Sequence, residues 1–528
     1  MNVDVLIVGA GPAGLATAIS LKRRGFAGRV VVLEKGRAVG SHVLSGAVID
    51  PAGFDGLLTA DELAHLPVEA HVNRESFRFV FGEKASVRIP WVPPMMRARG
   101  YPVGSLTKVV RYLADVAAGL GVEIYPGFAV TKVQEKGDGA YRAVLGEKGV
   151  DKDGFRKPNH LAGETVDAPV VVLAEGGAGI LTDRLVAEKK LGGRRPQSYA
   201  LGIKELIELP EKVEGSGGTI MHTFGYPVDM GTYGGGFVYH VSDSQVMVGY
   251  ALGLDYRPAE IDPHELFRRY KATAAVQRHI AGGKPVAYGA KVIPEGGFYA
   301  MPRPCSGGIL IVGDGAGLLD GLRIKGIHIA LQSGQAAAQA IVETKSGRNV
   351  GERYVELLRR TKGYREVRRV KNVHGGFTYG APFGVAMAGL AWGTFGLLPF
   401  WMFGRREKDS ATLRELRPQG APPARQPTGA LFPDRLTDVF LSGTVHEENQ
   451  PCHLKIADPA KCARCEEKYG SPCTRFCPAE VYRRDEDGRL AVDFSNCLHC
   501  KTCRIKCPLG NIEWTFPQAG DGPRYTRM

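Results

Sequence analysis

The chain has 528 residues, 44% of them hydrophobic, and 70 glycines, so it is too long for one hydrophobic core and has the composition of a multidomain α/β protein with many tight turns. Its net charge of +13 suits nucleic acid, a membrane surface or an acidic protein, but the absence of any nucleic-acid motif excludes the first. Eight of the ten cysteines crowd into the last 70 residues, which excludes a secreted disulfide framework and favours a reducing compartment.

The N-terminus predicts a nucleotide-binding strand–turn–helix–strand unit, with no basic leader ahead of it and therefore no export signal expected. An apolar run at residues 3–8 leads into GAGPAG at residues 9–14, a helical stretch, and a second apolar run that ends at Glu34. Glycines let backbone amides approach a pyrophosphate at the helix N-terminus, and Glu34 stands where a carboxylate binds ribose hydroxyls. A tight turn explains the glycines alone, but the full unit favours dinucleotide binding. The residues expected to bind are Gly9, Gly11, Ala13, Gly14 and Glu34.

Two later strand–glycine runs favour FAD over NAD. Residues 170–176 form an apolar strand that ends in a turn containing Ala174 and Gly176. Residues 308–317 close on Asp314, and a helix is expected to begin near Gly326 and Ile327. We expect Asp314 to reach the ribityl–phosphate region and the helix to aim its positive end at the flavin pyrimidine ring. Each run alone is equally a strand-ending turn. Together they predict a two-part, Rossmann-like FAD-binding domain at residues 1–185 and 296–345.

The middle of the chain, residues 186–295, predicts a β-rich quinone- or substrate-binding domain, because short alternating runs are separated by turns. The sequence TYGGG at residues 232–236 stands out there. Three consecutive glycines weaken a strand and often mark the close approach of a ligand, although a bulge or turn is the alternative.

Residues 346–440 predict a helical, membrane-associated segment. Residues 345–371 hold ten Lys/Arg against three acidic residues, and residues 374–404 carry no charged side chain apart from His374. That length is enough for a membrane-spanning helix, but Pro382 and Pro399 interrupt it. An element that dips into one leaflet is therefore favoured over a straight span or a buried hairpin, and we expect monotopic contact with a membrane surface.

Two cysteine runs dominate a ferredoxin-like α+β domain expected at residues 441–528. The first run is Cys462-x2-Cys465-x7-Cys473-x3-Cys477, the second is Cys497-x2-Cys500-x2-Cys503-x3-Cys507, and each is followed by proline. Two-cluster ferredoxins have this pattern, in which three cysteines of one run hold a cluster and the fourth crosses to the other. Disulfides or a zinc ribbon are the alternatives, but a zinc site uses only four ligands. Iron–sulfur chemistry is therefore predicted.

Taken together, these stretches resemble the electron transfer flavoprotein–ubiquinone oxidoreductase family. The resemblance spans nearly the whole chain and is carried by GAGPAGL at 9–15, LSGA at 44–47, TYGG at 232–235, GLDY at 253–256 and NCLHCKTC at 496–503. It implies a membrane-bound enzyme that passes electrons from electron transfer flavoprotein through one [4Fe-4S] cluster and FAD to ubiquinone or menaquinone. It also implies a location on the cytoplasmic face of the inner membrane if the source is bacterial. By the same resemblance the cluster ligands are Cys477, Cys497, Cys500 and Cys503, and the quinone contacts are Gly234 and Gly235.

The remaining four cysteines depart from the mitochondrial-type members of that family. These are Cys462, Cys465, Cys473 and Cys507. We hypothesise a second cluster on them; zinc, vestigial thiols and, given the x7 gap, a three-iron cluster are alternatives. The tail also resembles Fix-type systems, where a two-cluster ferredoxin is a separate chain, so a quinone-reducing subunit of a bifurcating complex is the alternative function. An isoprenoid-reducing flavoenzyme shares the flavin fold but has no use for this tail.

Catalysis by a nucleophile or an acid–base triad is not predicted, because electron transfer asks the protein for position, burial and electrostatics. Quinone reduction also consumes two protons. Tyr233, Tyr239 and His240 are the expected relay residues.

Overall fold

The structure, a computed structural model, describes residues 1–137, 139–345, 349–371, 373–377, 379–394, 407–416 and 427–528. The strands in chain order are β1 (Val5–Val8), β2 (Val30–Glu34), β3 (Ala70–His71), β4 (Arg74–Val80), β5 (Ser86–Ile89), β6 (Pro102–Val103), β7 (Glu123–Pro126), β8 (Val130–Glu135), β9 (Tyr141–Leu145), β10 (Lys148–Val150), β11 (Arg156–Leu161), β12 (Thr165–Ala168), β13 (Val170–Leu173), β14 (Tyr199–Glu208), β15 (Thr219–Gly225), β16 (Gly234–His240), β17 (Gln245–Gly253), β18 (Lys284–Pro294), β19 (Cys305–Ser306), β20 (Ile309–Ile311), β21 (Leu454–Ile456), β22 (Tyr482–Arg484), β23 (Leu490–Val492) and β24 (Ile512–Trp514). The helices are α1 (Pro12–Arg23), α2 (Ala60–Ala64), α3 (Leu106–Gly119), α4 (Ile180–Glu188), α5 (Pro263–Ala272), α6 (Ala274–Ile280), α7 (Ile327–Thr344), α8 (Val350–Arg360), α9 (Lys362–Arg369), α10 (Val373–Phe377), α11 (Ala381–Gly393), α12 (Arg435–Leu441), α13 (Pro459–Tyr469), α14 (Cys473–Phe476) and α15 (Thr502–Lys506).

A six-stranded sheet in the order β19-β20-β13-β1-β2-β7 forms the first layer of the molecule. Its strands run parallel except for the short β19. Strands β1, β13 and β20 are buried along their whole length, as expected of a parallel sheet covered on both faces. Helix α1 packs against α7 and α3. The parts of this sheet come from both stretches in which the sequence predicted FAD binding, so the α/β fold class is confirmed.

A seven-stranded sheet in the order β18-β14-β17-β16-β15-β4-β5 forms the second layer. Strands β14 to β18 come from the middle of the chain, as the sequence predicted. Strands β4 and β5, however, come from the stretch assigned to the first FAD part, and β4 pairs in parallel with β15. That assignment was incomplete. The pairing joins segments about 140 residues apart (Thr219 lies opposite Arg74), and a local sequence pattern carries no signal of so distant a partner.

The cysteine-rich region packs directly against both sheets. It contains the two-stranded pairs β21-β24 and β22-β23 and helices α13, α14 and α15. The main-chain nitrogen of Val292 on β18 donates to the Cys500 carbonyl at 3.3 Å, and the Tyr288 hydroxyl donates to the Pro478 carbonyl at 2.9 Å. The Lys501 ammonium donates to the Ala178 carbonyl at 2.8 Å.

Helices α10 and α11 pack together at the start of the segment predicted to touch the membrane. Residues 395–404 of that segment, with Pro399, lie outside the described residues. Tyr379, Phe383, Val385 and Leu390 expose apolar surface to solvent. Within the ranges given above, none of the helices combines the length and apolar character needed to cross a bilayer.

Candidate functional site

A cavity of about 680 Å³ extends from the loops at the carboxyl ends of the first sheet to the second sheet. It collects residues that are far apart in the chain but were all singled out from the sequence. Those at the first-sheet end are Gly9, Gly11, Ala13, Glu34, Ala174, Gly176, Asp314, Gly326 and Ile327. Gly234 and Gly235 lie at the other end of the same cavity. Gly14 does not line it.

In the glycine turn after β1, two of the glycines are needed for close packing and a third has free space beside it. Gly9 has φ +109°, and a Cβ there would lie 2.4 Å from the Ala174 carbonyl oxygen. A Cβ on Gly14 would lie 2.1 Å from the Gly9 oxygen, so Gly14 serves close helix–strand packing. A Cβ on Gly11 would meet nothing within 4 Å and would enter the cavity. Space therefore remains at the N-terminus of α1, where a pyrophosphate binds.

Glu34 is held in place at the end of β2 by two backbone amides. Its carboxylate accepts from Ala10 N at 2.9 Å and from Gly36 N at 2.7 Å. A carboxylate oxygen has a second lone pair after one hydrogen bond. The side chain can thus be fixed by its own loop and still accept a ribose hydroxyl from the cavity.

Charged groups gather where the third glycine run meets α7. Burial raises the pKa of Asp314 to about 6, and the nearby Lys291 ammonium opposes that rise. Burial also lowers the pKa of Lys325 to about 8. Helix α7 begins at Ile327 beside the cavity with no side-chain cap on its first turn. The positive helix end and Lys325 together suit an anionic ring system such as a reduced flavin.

The three glycines of TYGGG lie in a regular strand. Strand β16 pairs with β15 and β17 without a register shift, so the alternative of a bulge or turn is wrong. A Cβ on Gly236 would overlap the Tyr270 ring at 2.2 Å, and one on Gly235 would lie 2.8 Å from the Thr223 oxygen. Close packing requires these glycines, and it leaves the backbone of Gly234 and Gly235 facing the cavity.

Polar groups that the sequence did not single out line the same end. The Tyr250 hydroxyl is buried next to Gly234 and adjoins the Val228 backbone, yet it makes no hydrogen bond within the described part of the chain. Lys204 is buried, and its ammonium donates to the Met247 sulfur at 3.6 Å. Both side chains lie on strands that are buried along most of their length, so a polar residue in a buried strand was the signal that could have identified them.

The predicted proton-relay residues divide between the two faces of β16. Tyr239 lines the cavity, and its hydroxyl lies 2.6 Å from His222 Nε2. Tyr233 also lines the cavity and packs on Phe377 with ring centres 4.9 Å apart. His240 instead contacts His279 at 3.0 Å and is absent from the lining. His240 and Tyr239 lie on opposite faces of β16, because neighbouring residues of a strand point to opposite faces, and a relay role for His240 stays a prediction.

The mouth of the cavity is apolar and open to solvent. Trp91, Met230, Ile324 and Val385 line the cavity, and they are 60%, 45%, 50% and 49% exposed. Large apolar side chains are rarely gathered at an opening unless that surface meets an apolar partner.

The eight cysteines of the C-terminal region separate into two groups of four. Cys477, Cys497, Cys500 and Cys503 are all buried. Burial, followed by the charge of Cys500, raises the pKa of the Cys477 thiol to about 12. Lys501, inside this group, lines the cavity. All ten cysteines of the chain are free thiols, so the disulfide alternative is wrong, and a buried set of four sulfurs fits an iron–sulfur cluster.

The second group consists of Cys462, Cys465, Cys473 and Cys507. Burial, followed by the charges of Cys507 and Cys462, raises the pKa of the Cys465 thiol to about 12. Burial, followed by the charges of Cys465, Cys507, Cys462 and Cys477, raises the pKa of the Cys473 thiol. Three of these four neighbouring thiols belong to the same group as Cys473, and the division into two groups stays a prediction.

Buried imidazoles fill the space between the first cysteine group and the turn after β2. Ligand atoms of His446, His453 and His499 lie within 4.8 Å of one another. His446 uses one ring nitrogen on His499, at 3.0 Å, and the other on the Ser495 carbonyl, at 3.0 Å, which leaves it none for a metal ion. Burial lowers the pKa of His446 to about 4. Lys35 reaches His499 at 3.4 Å, so the cluster joins the cysteine loop to the nucleotide-binding unit.

Solved structures with a similar fold are flavoproteins. A geranylgeranyl bacteriochlorophyll reductase-like protein from Thermoplasma acidophilum superposes with a TM-score of 0.52 at 18% identity, covering 75% of this chain and 90% of its own. A flavin-dependent brominase gives a TM-score of 0.51 at 16% identity, covering 75% of this chain and 94% of its own. These likenesses establish the flavoprotein fold.

The family model for "FAD dependent oxidoreductase" matches residues 4–91, so the fold and the site define a FAD-dependent oxidoreductase with an iron–sulfur domain. Models described as "ETF-QO, ubiquinone-binding" and "Electron transfer flavoprotein-ubiquinone oxidoreductase, 4Fe-4S" match residues 199–293 and 429–526. The chain belongs to the electron transfer flavoprotein–ubiquinone oxidoreductase family. The mitochondrial relative from Oryza sativa is 37% identical, covering 100% of this chain and 93% of that protein. The Pseudomonas aeruginosa relative is 36% identical, covering 100% and 99%.

Proposed function

We propose that this chain oxidises reduced electron transfer flavoprotein and reduces ubiquinone or menaquinone in the cavity. The observation that carries the proposal is the continuity of that cavity. It joins the residues suited to FAD with the backbone of Gly234 and Gly235, while Lys501 of the first cysteine group reaches its wall. Electron transfer needs such proximity and no nucleophile.

The residues present fit both cofactors of the family. FAD would be held by the open turn at Gly11, by Glu34 and by the uncapped start of α7; Cys477, Cys497, Cys500 and Cys503 would hold the [4Fe-4S] cluster. Bound together, these groups supply the chemistry that links a one-electron carrier to a two-electron quinone. The protein contributes the burial of the four thiols and the positive groups beside Asp314.

The quinone end supplies hydrogen-bond donors and a route for protons. The buried hydroxyl of Tyr250 lacks a partner within the described part of the chain, and leaving such a group unpaired costs about 1–3 kcal/mol. A quinone carbonyl beside Gly234 would satisfy it. The Tyr239–His222 pair lines the cavity from the opposite face of the sheet, because Tyr250 lies opposite Gly236 and His222 lies opposite Phe237. Each group of the pair can donate and accept a proton, so it could exchange protons with the reduced quinone.

The apolar mouth of the cavity supports membrane association. Trp91, Met230, Ile324 and Val385 surround the entrance through which a lipid-soluble quinone must pass. We propose monotopic contact of this rim with the bilayer, on the cytoplasmic face of the inner membrane if the source is bacterial. The basic stretch at residues 345–371 would favour an anionic lipid surface.

Turnover tests the function. Detergent-purified protein is mixed with electron transfer flavoprotein kept reduced by its dehydrogenase, and short-chain ubiquinone and menaquinone are supplied in turn. We expect quinol formation that depends on all three components. A variant with Cys497→Ser, which lacks a ligand of the first group, serves as the matched control. Electron transfer flavoprotein that stays reduced with both quinones would overturn the proposal.

A quinone-reducing subunit of a bifurcating Fix-type complex is the second candidate, favoured by the four cysteines of the second group. Its test adds NADH and a low-potential ferredoxin to a mixture of the chain, its flavoprotein partner and quinone. Bifurcation predicts that quinone reduction and ferredoxin reduction occur together. Quinone reduction with no ferredoxin reduction would exclude this candidate and leave the first in place.

A further inference from the structure

The first of the two functions proposed above assigns no role to the second cysteine group. Three separate elements bring its members together. Cys462 and Cys465 lie three residues apart on α13 and so share one face of that helix. Cys473 is the first residue of α14, and Cys507 directly follows α15. The fold thus places both ends of the cysteine-rich region at one point.

Asn511 links the two cysteine runs at this point. Its side-chain amide donates to Cys462 Sγ at 3.1 Å, and its main-chain nitrogen donates to Cys507 Sγ at 3.3 Å. Cys462 and Cys507 come from opposite runs, so one residue holds both within hydrogen-bond reach. N–H groups directed at sulfur are the usual surroundings of cluster thiolates and adjust the cluster's potential.

The four sulfurs are placed for metal binding rather than for packing. Three of them are buried, and gathering four thiols in one buried site leaves their weak hydrogen-bonding capacity unused and their thiolates mutually repelled. A cation of high charge bound to all four sulfurs would remove the repulsion.

The choice between zinc and an iron–sulfur cluster rests on the symmetry of the two groups. Three cysteines of the run at residues 462–477 belong to the second group, and the last one, Cys477, belongs to the first group. Three cysteines of the run at residues 497–507 belong to the first group, and the last one, Cys507, belongs to the second group. Both crossing residues are followed by proline, at Pro478 and Pro508. That exchange is the arrangement of two-cluster ferredoxins. A zinc ribbon takes two ligands from each of two C-x2-C pairs, which differs from the division of three and one found here.

The two groups differ in their depth. The first group borders the cavity through Lys501, whereas the second is carried by α13, whose outer face is exposed at Arg464, Glu466, Glu467 and Lys468. The groups meet at α14, where Cys473 of the second group stands four residues before Cys477 of the first. The second group is therefore nearer to the surface, and the first is nearer to the flavin end of the cavity.

We propose that Cys462, Cys465, Cys473 and Cys507 hold a second [4Fe-4S] cluster through which electrons enter the chain from its surface. This inference rests on the proposed function and adds the site at which reduced electron transfer flavoprotein docks. Each electron lost by the carrier crosses from the second cysteine group to the first. Two such electrons and two protons from solvent convert one quinone to one quinol.

Metal analysis of the full-length wild-type protein, purified without oxygen, tests the proposal. We expect about eight irons and eight sulfides per FAD, and a reduced EPR spectrum broadened by magnetic interaction between neighbouring clusters. About four irons per FAD, with or without one zinc, would overturn it. About seven irons with a three-iron signal in the oxidised protein would also contradict the four-iron assignment.

Variants assign the signal to the residues. Cys462→Ser/Cys465→Ser should retain FAD and about four irons, with a narrow EPR spectrum of a single cluster. Cys452→Ser, a nearby thiol that donates to the Leu454 carbonyl at 3.3 Å, is the matched control and should match the wild type. If the double variant does not fold, Asn511→Ala keeps all four ligands and should shift the potential of only one of the two clusters. Unchanged potentials in Asn511→Ala would contradict the proposal.

The result is separable from the test of the proposed function. A protein with one cluster that still reduces quinone would refute only this inference. A protein with two clusters that does not reduce quinone would refute only the function. If both hold, the double variant should accept electrons from the reduced carrier at least about tenfold more slowly, while quinol-driven reduction of its FAD stays unchanged.

Discussion

The hydroxyl of Tyr250 lies next to Gly234 in such a way that a Cβ on the glycine would come within 3.0 Å of the hydroxyl oxygen. A Cβ at this position would crowd the tyrosine, and the space that the glycine leaves belongs to the cavity. The arrangement places a buried hydroxyl beside exposed backbone, as a ligand carbonyl requires.

Replacing Tyr250 with Phe tests the role of that hydroxyl. The ring packing is kept and one hydrogen-bond donor to quinone is lost, at about 1–1.5 kcal/mol, so the KM for quinone should rise about tenfold. Steady-state kinetics with reduced electron transfer flavoprotein measures this. Tyr354→Phe is the matched control, because its buried hydroxyl bonds to the Ile311 carbonyl at 2.9 Å outside the cavity. An unchanged KM in Tyr250→Phe would exclude a quinone contact.

Replacing Gly11 with Val tests the FAD site. The backbone at Gly11 has φ −82° and ψ −176°, which any residue adopts, and a Cβ meets no neighbour within 4 Å. The variant should fold, yet its side chain would occupy the space of the pyrophosphate. The affinity for FAD should fall at least about tenfold. The FAD that the protein retains after dilution, measured by absorbance, reports this loss. Gly119→Ala, also free of contacts within 4 Å, should keep its flavin; full flavin in Gly11→Val would contradict the assignment.

Replacing Trp91 with Ser tests the membrane rim. Trp91 is 60% exposed at the cavity mouth, and removing a large apolar side chain from a lipid contact loses about 1.5–3 kcal/mol. Partitioning onto anionic vesicles should fall about tenfold. Phe155→Ser, at a position 71% exposed but outside the cavity lining, should partition like the wild type. Equal losses from both variants would show that the rim is not a specific contact.

The buried histidine at position 222 gives stability a pH dependence. Burial lowers the pKa of His222 from 6.5 to about 3. Between these pH values His222 is therefore protonated in the unfolded chain and neutral in the folded chain. The stabilisation is complete above pH 6.5 and is lost toward pH 3, at about 1.4 kcal/mol per pH unit. His222→Gln should remove this part of the slope between pH 7 and 5 in denaturant unfolding. His71→Gln, at an exposed position, should keep the wild-type slope, and an unchanged slope in His222→Gln would contradict the burial of a neutral ring.

The ion pair between Lys271 and Glu205 makes a sharp contrast with surface pairs. Lys271 Nζ lies 2.5 and 2.7 Å from the two Glu205 oxygens, both side chains are fully buried, and the Leu431 carbonyl also accepts from the lysine. Lys271→Met would leave the buried Glu205 carboxylate without its cation, and burial already raises the pKa of that carboxyl group to about 7. The substitution should lower the free energy of unfolding by about 3–5 kcal/mol.

Two companion variants define that result. Lys108→Met breaks a partly exposed pair with Glu69 and should cost less than about 1 kcal/mol. Glu205→Gln/Lys271→Met removes both charges and should recover most of the loss. A Lys271→Met variant as stable as Lys108→Met would show that the pair is solvated in solution.

Local patterns predicted the parts of the molecule whose function depends on spacing along the chain. The strand, glycine turn and Glu34 are adjacent in sequence, so their geometry follows from short-range stereochemistry. The division of the cysteines into two groups stays a prediction from their spacing, because ligands of one cluster must reach a common centre.

Features made by long-range contacts were missed. Strands β4 and β5 join the second sheet through a partner far along the chain, and His222 meets Tyr239 only because β15 pairs with β16. Lys204 and Tyr250 acquire their character from burial, which no single segment determines.

The hydrogen bonds that fasten the cysteine-rich region to both sheets have a kinetic consequence. Val292 binds the Cys500 loop, Lys501 binds Ala178, and Gly520 binds the Lys35 carbonyl at 2.8 Å. Because the region is anchored on several sides, electron transfer between the cofactor sites should not require the cysteine-rich region to move. The internal steps should therefore run at the same speed in glycerol as in buffer, and only the encounter with the incoming carrier should slow as the solution thickens.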